Sequence, residues 1–81
     1  MKMEVMIVVL KNGTHLVSKV EQLEEEPACH LQEPYQVKDD GTLTPWPLWT
    51  LDQDILLYSE TLATIVEPTD EIRKKYESVT K

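Results

Sequence analysis

A chain of 81 residues has room for one domain with a small core, so residues 1–81 are taken as a single domain. Its 15 acidic and 8 basic residues give a formal net charge of −7, and phosphate binding requires clustered Lys and Arg, so nucleic acid is not the default partner. The single cysteine excludes an internal disulfide and a cysteine-rich zinc site, and we expect neither metal nor cofactor.

Apolar segments in this chain are too short to cross a bilayer. The longest apolar run, Val5–Leu10, is far below the roughly 20 residues that a membrane-spanning helix needs. The start of the chain lacks the shape and the cleavage site of a signal peptide, and a lone cysteine suits a reducing compartment. We therefore expect a cytoplasmic protein that does not contact membranes.

The first half of the chain predicts a hairpin and a third strand. Asn12-Gly13 separates β-rich runs at 3–10 and 14–23, which is the strongest short-range hairpin signal. After a turn at a proline, a third strand is expected over 28–37, interrupted near Pro34 because proline donates no ladder hydrogen bond.

Residues 38–51 predict a long loop. Pro45 and Pro47 exclude a central strand there, and the loop carries both tryptophans of the chain, Trp46 and Trp49. Long loops in compact domains are often functional, so this loop is a candidate contact surface.

The last third predicts two short strands and a helix. The strands are expected at 54–58 and 62–66, joined as a hairpin by a three-residue link. Thr69 is a good N-cap for a helix over 70–79, and Tyr76 falls within a stripe of apolar residues at helical spacing.

This order of strands resembles the Sm-like family, which includes bacterial Hfq. The resemblance covers Val5–Leu31 and Ile55–Val66, about half of the chain, and Ile7–Gly13 matches the opening of the family's first motif. Together with the terminal helix, it implies an all-β fold, a small, strongly bent, five-stranded antiparallel Sm-like barrel followed by a C-terminal α-helix.

The resemblance also places the family's RNA site on four residues of this chain. Sm-like proteins hold uridine- or adenine-rich RNA at the inner rim of a ring, with a stacking residue, an Asn and an Arg-Gly pair. Those positions are occupied here by Glu26, Ala28 and Tyr58-Ser59. The changes remove donors and π-faces that single-stranded RNA needs, although Tyr58 retains a ring that can stack on a base or pack beside its neighbours.

The last two strands predict assembly into a homo-oligomeric ring. Neither carries an edge-blocking Lys or Pro, and pairing of one subunit's fourth strand with the next subunit's fifth strand would satisfy both edges. We expect a pentamer to heptamer. The residues expected at contacts between subunits or with partners are Ile55, Leu57, Leu62, Thr64, Trp46 and Trp49.

Catalysis finds little support in the sequence, and we expect no enzyme. His15 is expected to be exposed, while Cys29 and His30 are neighbours in a strand and point to opposite faces, so they form no nucleophile–base pair. Asp52 and Asp54 share one strand face, but two carboxylates alone make a poor cation site.

Two functional classes follow from these patterns. One is an RNA-binding Sm-like riboregulator with altered specificity, and the other is a non-catalytic assembly module that contacts a protein partner through the Trp46–Trp49 loop. We favour the second because the chain is acidic and its RNA positions are altered. RNA binding would weaken steeply with salt, whereas a contact centred on tryptophan would not.

Overall fold

The computed structural model describes residues 3–80, which form six strands and one helix. The elements are β1 Glu4–Leu10, β2 His15–Gln22, β3 Cys29–Val37, β4 Leu43–Pro45, β5 Asp54–Leu57, β6 Leu62–Val66 and α1 Asp70–Val79. The expected all-β fold with a terminal helix is therefore confirmed, with one strand more than the five predicted. Within this part of the chain, no helix is long and apolar enough to cross a membrane.

The first hairpin forms as the sequence predicts. β1 and β2 pair antiparallel, from Glu4 opposite Val20 to Val9 opposite His15. Gly13 adopts a φ of 92°, a left-handed conformation that suits glycine because it has no Cβ. The Asn12 side chain accepts a hydrogen bond from the backbone N–H of Thr14 at 2.9 Å, which fixes the turn locally.

The sheet curls so that its two ends come near one another without pairing. Its strand order is β4-β3-β2-β1-β6, and β5 also pairs with β3. The predicted hairpin between 54–58 and 62–66 is wrong, because in the described chain β5 pairs with β3 and β6 pairs with β1, not with each other. Only residues 58–61 join β5 to β6, and such a link spans at most about 18 Å. The outer edges of β3 and β1 must therefore approach one another across this turn.

A bend in β3 divides its outer edge between two partners. The residues before the bend pair with β5, and the residues after it pair with β4. Glu33 at the bend has a φ of 56°, and its N–H donates to the carbonyl of Gln53 at 2.7 Å. Pro34 has no N–H to donate, and its carbonyl accepts from the N–H of Trp46 at 3.1 Å.

Two expectations about this region are corrected by that arrangement. β3 runs without interruption through Pro34, because the missing N–H falls where the edge partner changes. β4 lies at 43–45, inside the predicted loop, because a three-residue edge strand tolerates a proline at its end.

The core lies inside the curled sheet. It contains Val8, Leu10, Leu16, Val20, Cys29, Leu31 and Leu57, with Met6, Trp46, Ile55, Leu62 and Ile65 packed partly buried against it. Val17 and Tyr76 are buried but stand outside this cluster, on the side of the sheet that α1 covers.

Helix α1 begins where the sequence predicts and is fastened by one aromatic residue. Thr69 is the N-cap, and its hydroxyl accepts from the N–H of Ile72 at 3.3 Å. Tyr76 is fully buried, and its ring meets that of Tyr35 edge to face, with centroids 6.0 Å apart.

The hydroxyl of Tyr76 fills a break in the sheet. The register between β2 and β3 shifts after Val17, so that two residues of β3 face the single residue Ser18. The N–H of Lys19 donates to the Tyr76 hydroxyl at 3.1 Å. That hydroxyl lies within hydrogen-bond distance of the carbonyls of Gln32 and Glu33, at 3.0 and 2.9 Å. The helix thus satisfies polar groups that the bulge leaves without ladder partners.

Candidate functional site

The four positions that the resemblance assigns to RNA lie together on one rim of the sheet. The carboxylate of Glu26 accepts from the backbone N–H of Ser59 at 3.2 Å and from its hydroxyl at 2.8 Å. The N–H of Ala28 donates to the carbonyl of Leu57, the residue before Tyr58, at 2.8 Å. We define this group, Glu26, Ala28, Tyr58 and Ser59, as the rim cluster.

The rim cluster is acidic, and the side chain of Glu26 occupies the hydrogen-bond donors of Ser59. The N–H and hydroxyl of Ser59 are donors of the kind that hold phosphate oxygens or base edges, and Glu26 already engages both. Ala28 offers no side-chain hydrogen bond. Tyr58 is half-exposed and is the one member of the cluster with an aromatic face for a base.

The free edges of β5 and β6 carry exposed apolar side chains. In the described chain, β5 pairs with β3 alone and β6 with β1 alone. Leu56 in β5 is 52% exposed, and Val66 at the end of β6 is exposed as well. Both edges therefore present unpaired backbone groups beside apolar surface.

The predicted contact residues of these strands divide between the two faces of the sheet. Ile55, Leu57 and Leu62 turn toward the core of their own chain, whereas Thr64 is exposed. Sequence reasoning missed Leu56, the exposed apolar residue of β5. Its signal was available in Ile55-Leu56-Leu57, where consecutive apolar residues must lie on both faces of a strand.

His30 lies between two carboxylates on the outer face of the sheet. Its Nε2 is 2.9 Å from Asp54 Oδ1 on β5, and its Nδ1 is 3.9 Å from Glu21 Oε1 on β2. Asp54 is thus engaged by a histidine rather than paired with Asp52. Among residues 3–80, no group of three or more His, Cys, Asp or Glu side chains is arranged to hold a metal ion.

The remaining candidate side chains occupy the positions that the sequence predicts. Cys29 is fully buried in the core, and burial raises the pKa of its thiol, so the nucleophilic thiolate is disfavoured. His30 points away from Cys29, and His15 is exposed beside the first turn, with Nδ1 3.0 Å from the carbonyl of Gly13.

The two tryptophans have opposite environments. Trp46 packs partly buried against the core. Trp49 is 99% exposed and has a left-handed φ of 70°, and Leu51, two residues later in the chain, is 98% exposed. Trp49 thus makes no packing contact with its own sheet, and the loop displays an apolar surface instead.

Comparison with known proteins places the chain in a family without assigning an activity. A family model described as a family of unknown function, DUF6561, matches residues 3–81. The chain belongs to the DUF6561 family. No curated protein matches the chain. The DUF6561 match covers β1 to α1 as one unit, so the sheet and its terminal helix both belong to what the family shares.

Proposed function

We propose that this DUF6561 protein is a non-catalytic Sm-like assembly module that forms a closed homo-oligomeric ring by strand pairing. The observation that carries the proposal is the pair of free edges at β5 and β6. β5 of one subunit would pair with β6 of the next, and repetition of this head-to-tail contact closes a ring if the rotation between subunits permits it. Such a ring would bury the apolar surface of Leu56.

The size and shape of the chain support this proposal. A core of so few residues leaves little stability to spare, and oligomerisation adds buried apolar surface without a disulfide or metal. The curled sheet ends at β5 on one side and β6 on the other, and the two are adjacent through residues 58–61. A subunit whose two free edges belong to strands that are consecutive in the chain, and that do not pair with each other, suits head-to-tail repetition.

The rim cluster supports assembly or protein contact over RNA binding as the function. The carboxylate of Glu26 already accepts hydrogen bonds from Ser59, and Glu24 and Glu25 precede it as exposed carboxylates. These charges repel phosphate, and removal of Glu26 from Ser59 would cost its hydrogen bonds.

Light scattering on purified protein tests the ring. The wild type is expected to sediment and scatter as a single species larger than a dimer at micromolar concentration. Leu56→Lys places a charge on the free edge of β5 and is expected to reduce the assembly to small species. Val79→Lys is the matched control, because Val79 is exposed to a similar extent (47%) but lies on α1. A wild-type monomer that stays folded would contradict the proposal.

A mixing experiment tests whether the contact is head-to-tail. Leu56→Lys blocks the β5 edge and Val66→Lys blocks the β6 edge, so each variant keeps one intact edge. An equimolar mixture should cross-link as a heterodimer, whereas each variant alone should not cross-link. Cross-linking of Val66→Lys with itself would instead indicate a symmetric β5–β5 contact.

RNA binding is the second candidate, favoured by the half-exposed ring of Tyr58. We expect filter binding of oligouridine and oligoadenine at physiological salt to give no affinity tighter than about 10⁻⁶ M, the scale of non-specific contacts. Nanomolar binding that is lost in Tyr58→Ala, and retained in Tyr35→Phe as a control, would reverse the order of the two candidates.

A further inference from the structure

A cleft between the bend of β3 and the tryptophan loop is not explained by ring assembly. It encloses about 160 Å³, which accommodates one or two side chains rather than a folded partner. Its lining residues are Glu33, Pro34, Tyr35, Pro45, Trp46, Pro47, Thr50, Leu51, Asp52 and Gln53. All of them belong to one chain, so the cleft does not depend on the proposed ring.

One wall of this cleft, formed by Pro34, Tyr35 and Trp46, is anchored to the rest of the chain. The ring of Tyr35 rests edge to face on the buried ring of Tyr76. Trp46 packs against the core, and its N–H is bonded to the carbonyl of Pro34. A surface that is already ordered loses little conformational entropy when a ligand binds to it.

Exposed apolar side chains extend the cleft into a larger surface. Leu51 belongs to both, since it lines the cleft and is almost fully exposed. Trp49 stands in solvent at a backbone conformation that is uncommon for residues other than glycine. Nothing within the described chain covers this surface, and Trp is one of the residue types enriched among the dominant contacts of protein interfaces.

The charge of the cleft indicates the charge of its ligand. Glu33 and Asp52 are the charged residues among those that line it. Glu33 Oε1 lies 3.7 Å from Lys19 Nζ, so Asp52 supplies the lining carboxylate that no described cation pairs with. The chain as a whole carries −7, so its field attracts basic ligands from a distance. Aromatic faces beside carboxylates also favour a cationic side chain.

We infer that this cleft binds an extended, proline-containing segment of another protein that carries Arg or Lys beside its prolines. Tyr, Trp and Pro side chains form the kind of groove on which a polyproline II segment docks, and such a segment is ordered before it binds. The basic residue of the segment lies against the acidic end of the cleft at Asp52. Leu51 and Trp49 contact the apolar residues that follow it.

Titration with synthetic peptides tests this inference. The probe is a short peptide of alternating arginine and proline, compared with a peptide of alternating glutamate and proline and with one of alternating arginine and serine. Tryptophan fluorescence and calorimetry report binding. The arginine–proline peptide is expected to bind with a Kd below about 1 mM, and the other two at least about tenfold more weakly.

Matched variants locate the binding. Asp52→Asn is expected to weaken the arginine–proline peptide by about threefold, whereas Asp39→Asn removes the same charge from an exposed turn outside the cleft and leaves binding unchanged. Leu51→Ser combined with Trp49→Ala is expected to weaken it by about tenfold or more, with an unchanged circular dichroism spectrum.

Three results would overturn the inference. Equal loss in the two aspartate variants would mean that only the net charge attracts the peptide. Absence of binding at about 1 mM peptide would mean that the cleft has no such ligand. The free protein could also self-associate in a way that Trp49→Ala abolishes and Leu56→Lys does not. This result would assign the surface to a second copy of the chain.

Discussion

At the scale of single residues, Tyr76 is the largest side chain that is fully buried among residues 3–80. Its ring is fully buried, and its hydroxyl joins the N–H of Lys19 to the carbonyls of the β3 bend. Burial is the main cause that raises the pKa of Tyr76 to about 12, with a further increase from the charge of Glu33 that hydrogen bonding partly opposes. The neutral phenol is therefore the form that belongs to the folded state.

Alkaline conditions should therefore destabilise the protein through Tyr76. An unfolded tyrosine titrates near pH 10, so the stabilisation from the neutral phenol is complete below about pH 10 and is lost as the pH rises toward 12. Denaturant titrations followed by circular dichroism at pH 8 and pH 11 should show this loss. Tyr76→Phe should lower stability by about 1–3 kcal/mol at pH 8, because the Lys19 N–H loses its partner. Between pH 8 and pH 11, the Tyr76→Phe variant should then lose less stability than the wild type does. An equal alkaline loss in both proteins would assign the effect to other groups.

At the scale of elements, helix α1 completes the sheet rather than only covering it. The cap at Thr69 orders the first turn of the helix, and Tyr76 lies two turns further on, in the bulge between β2 and β3. Weakening the helix start should therefore weaken the whole fold and not merely fray one end, because the hydroxyl bonds form only when the helix is docked.

Substitution of the cap tests this coupling. Thr69→Ala removes the acceptor for the Ile72 N–H and is expected to lower the free energy of unfolding by about 1 kcal/mol. Thr69→Asp keeps an acceptor at the same place and should be nearly neutral. Urea denaturation monitored by tryptophan fluorescence is the measurement, since Trp46 packs on the core. A transition of the sheet that does not move in Thr69→Ala would mean that the helix is independent.

Much of the fold was predictable because its signals are local. Asn12-Gly13 specifies its hairpin by turn chemistry, and the helical spacing after Thr69 predicts α1 with the observed bounds of 70–79. Features that depend on distant partners were not predictable. Glu26 and Ser59 are 33 residues apart, and no local pattern indicates their contact.

The sites show the same division between local and distant information. Burial of Cys29 and exposure of His15 follow from strand alternation and turn position. β5 pairs with β3 instead of β6 because of how the whole sheet closes. The short link between β5 and β6 in the sequence does not indicate this closure. The cleft arises in the same way, from a bend in β3 at Pro34 that depends on two separate partner segments.

At the scale of the whole molecule, the proposed ring would make stability depend on concentration. Assembly binds the folded chain but not the unfolded one, so it shifts the folding equilibrium by mass action. The Tm of the wild type should therefore rise by several degrees when the protein concentration is raised about a hundredfold. Leu56→Lys should have a lower Tm that does not change with concentration. Differential scanning calorimetry over this range is the measurement, and a constant Tm for the wild type would count against a reversible ring.

The hydrogen bond from Lys19 to Tyr76 also offers a direct view of slow motion in the folded protein. Amide hydrogens of a sheet are normally protected from exchange with solvent deuterium by the neighbouring strand, but this one is protected by a residue 57 positions away on a helix. Its exchange rate should therefore report how often α1 lifts from the sheet, while the amides of β1 and β2 report opening of the sheet itself. One resonance thus distinguishes local release of the helix from global unfolding under native conditions.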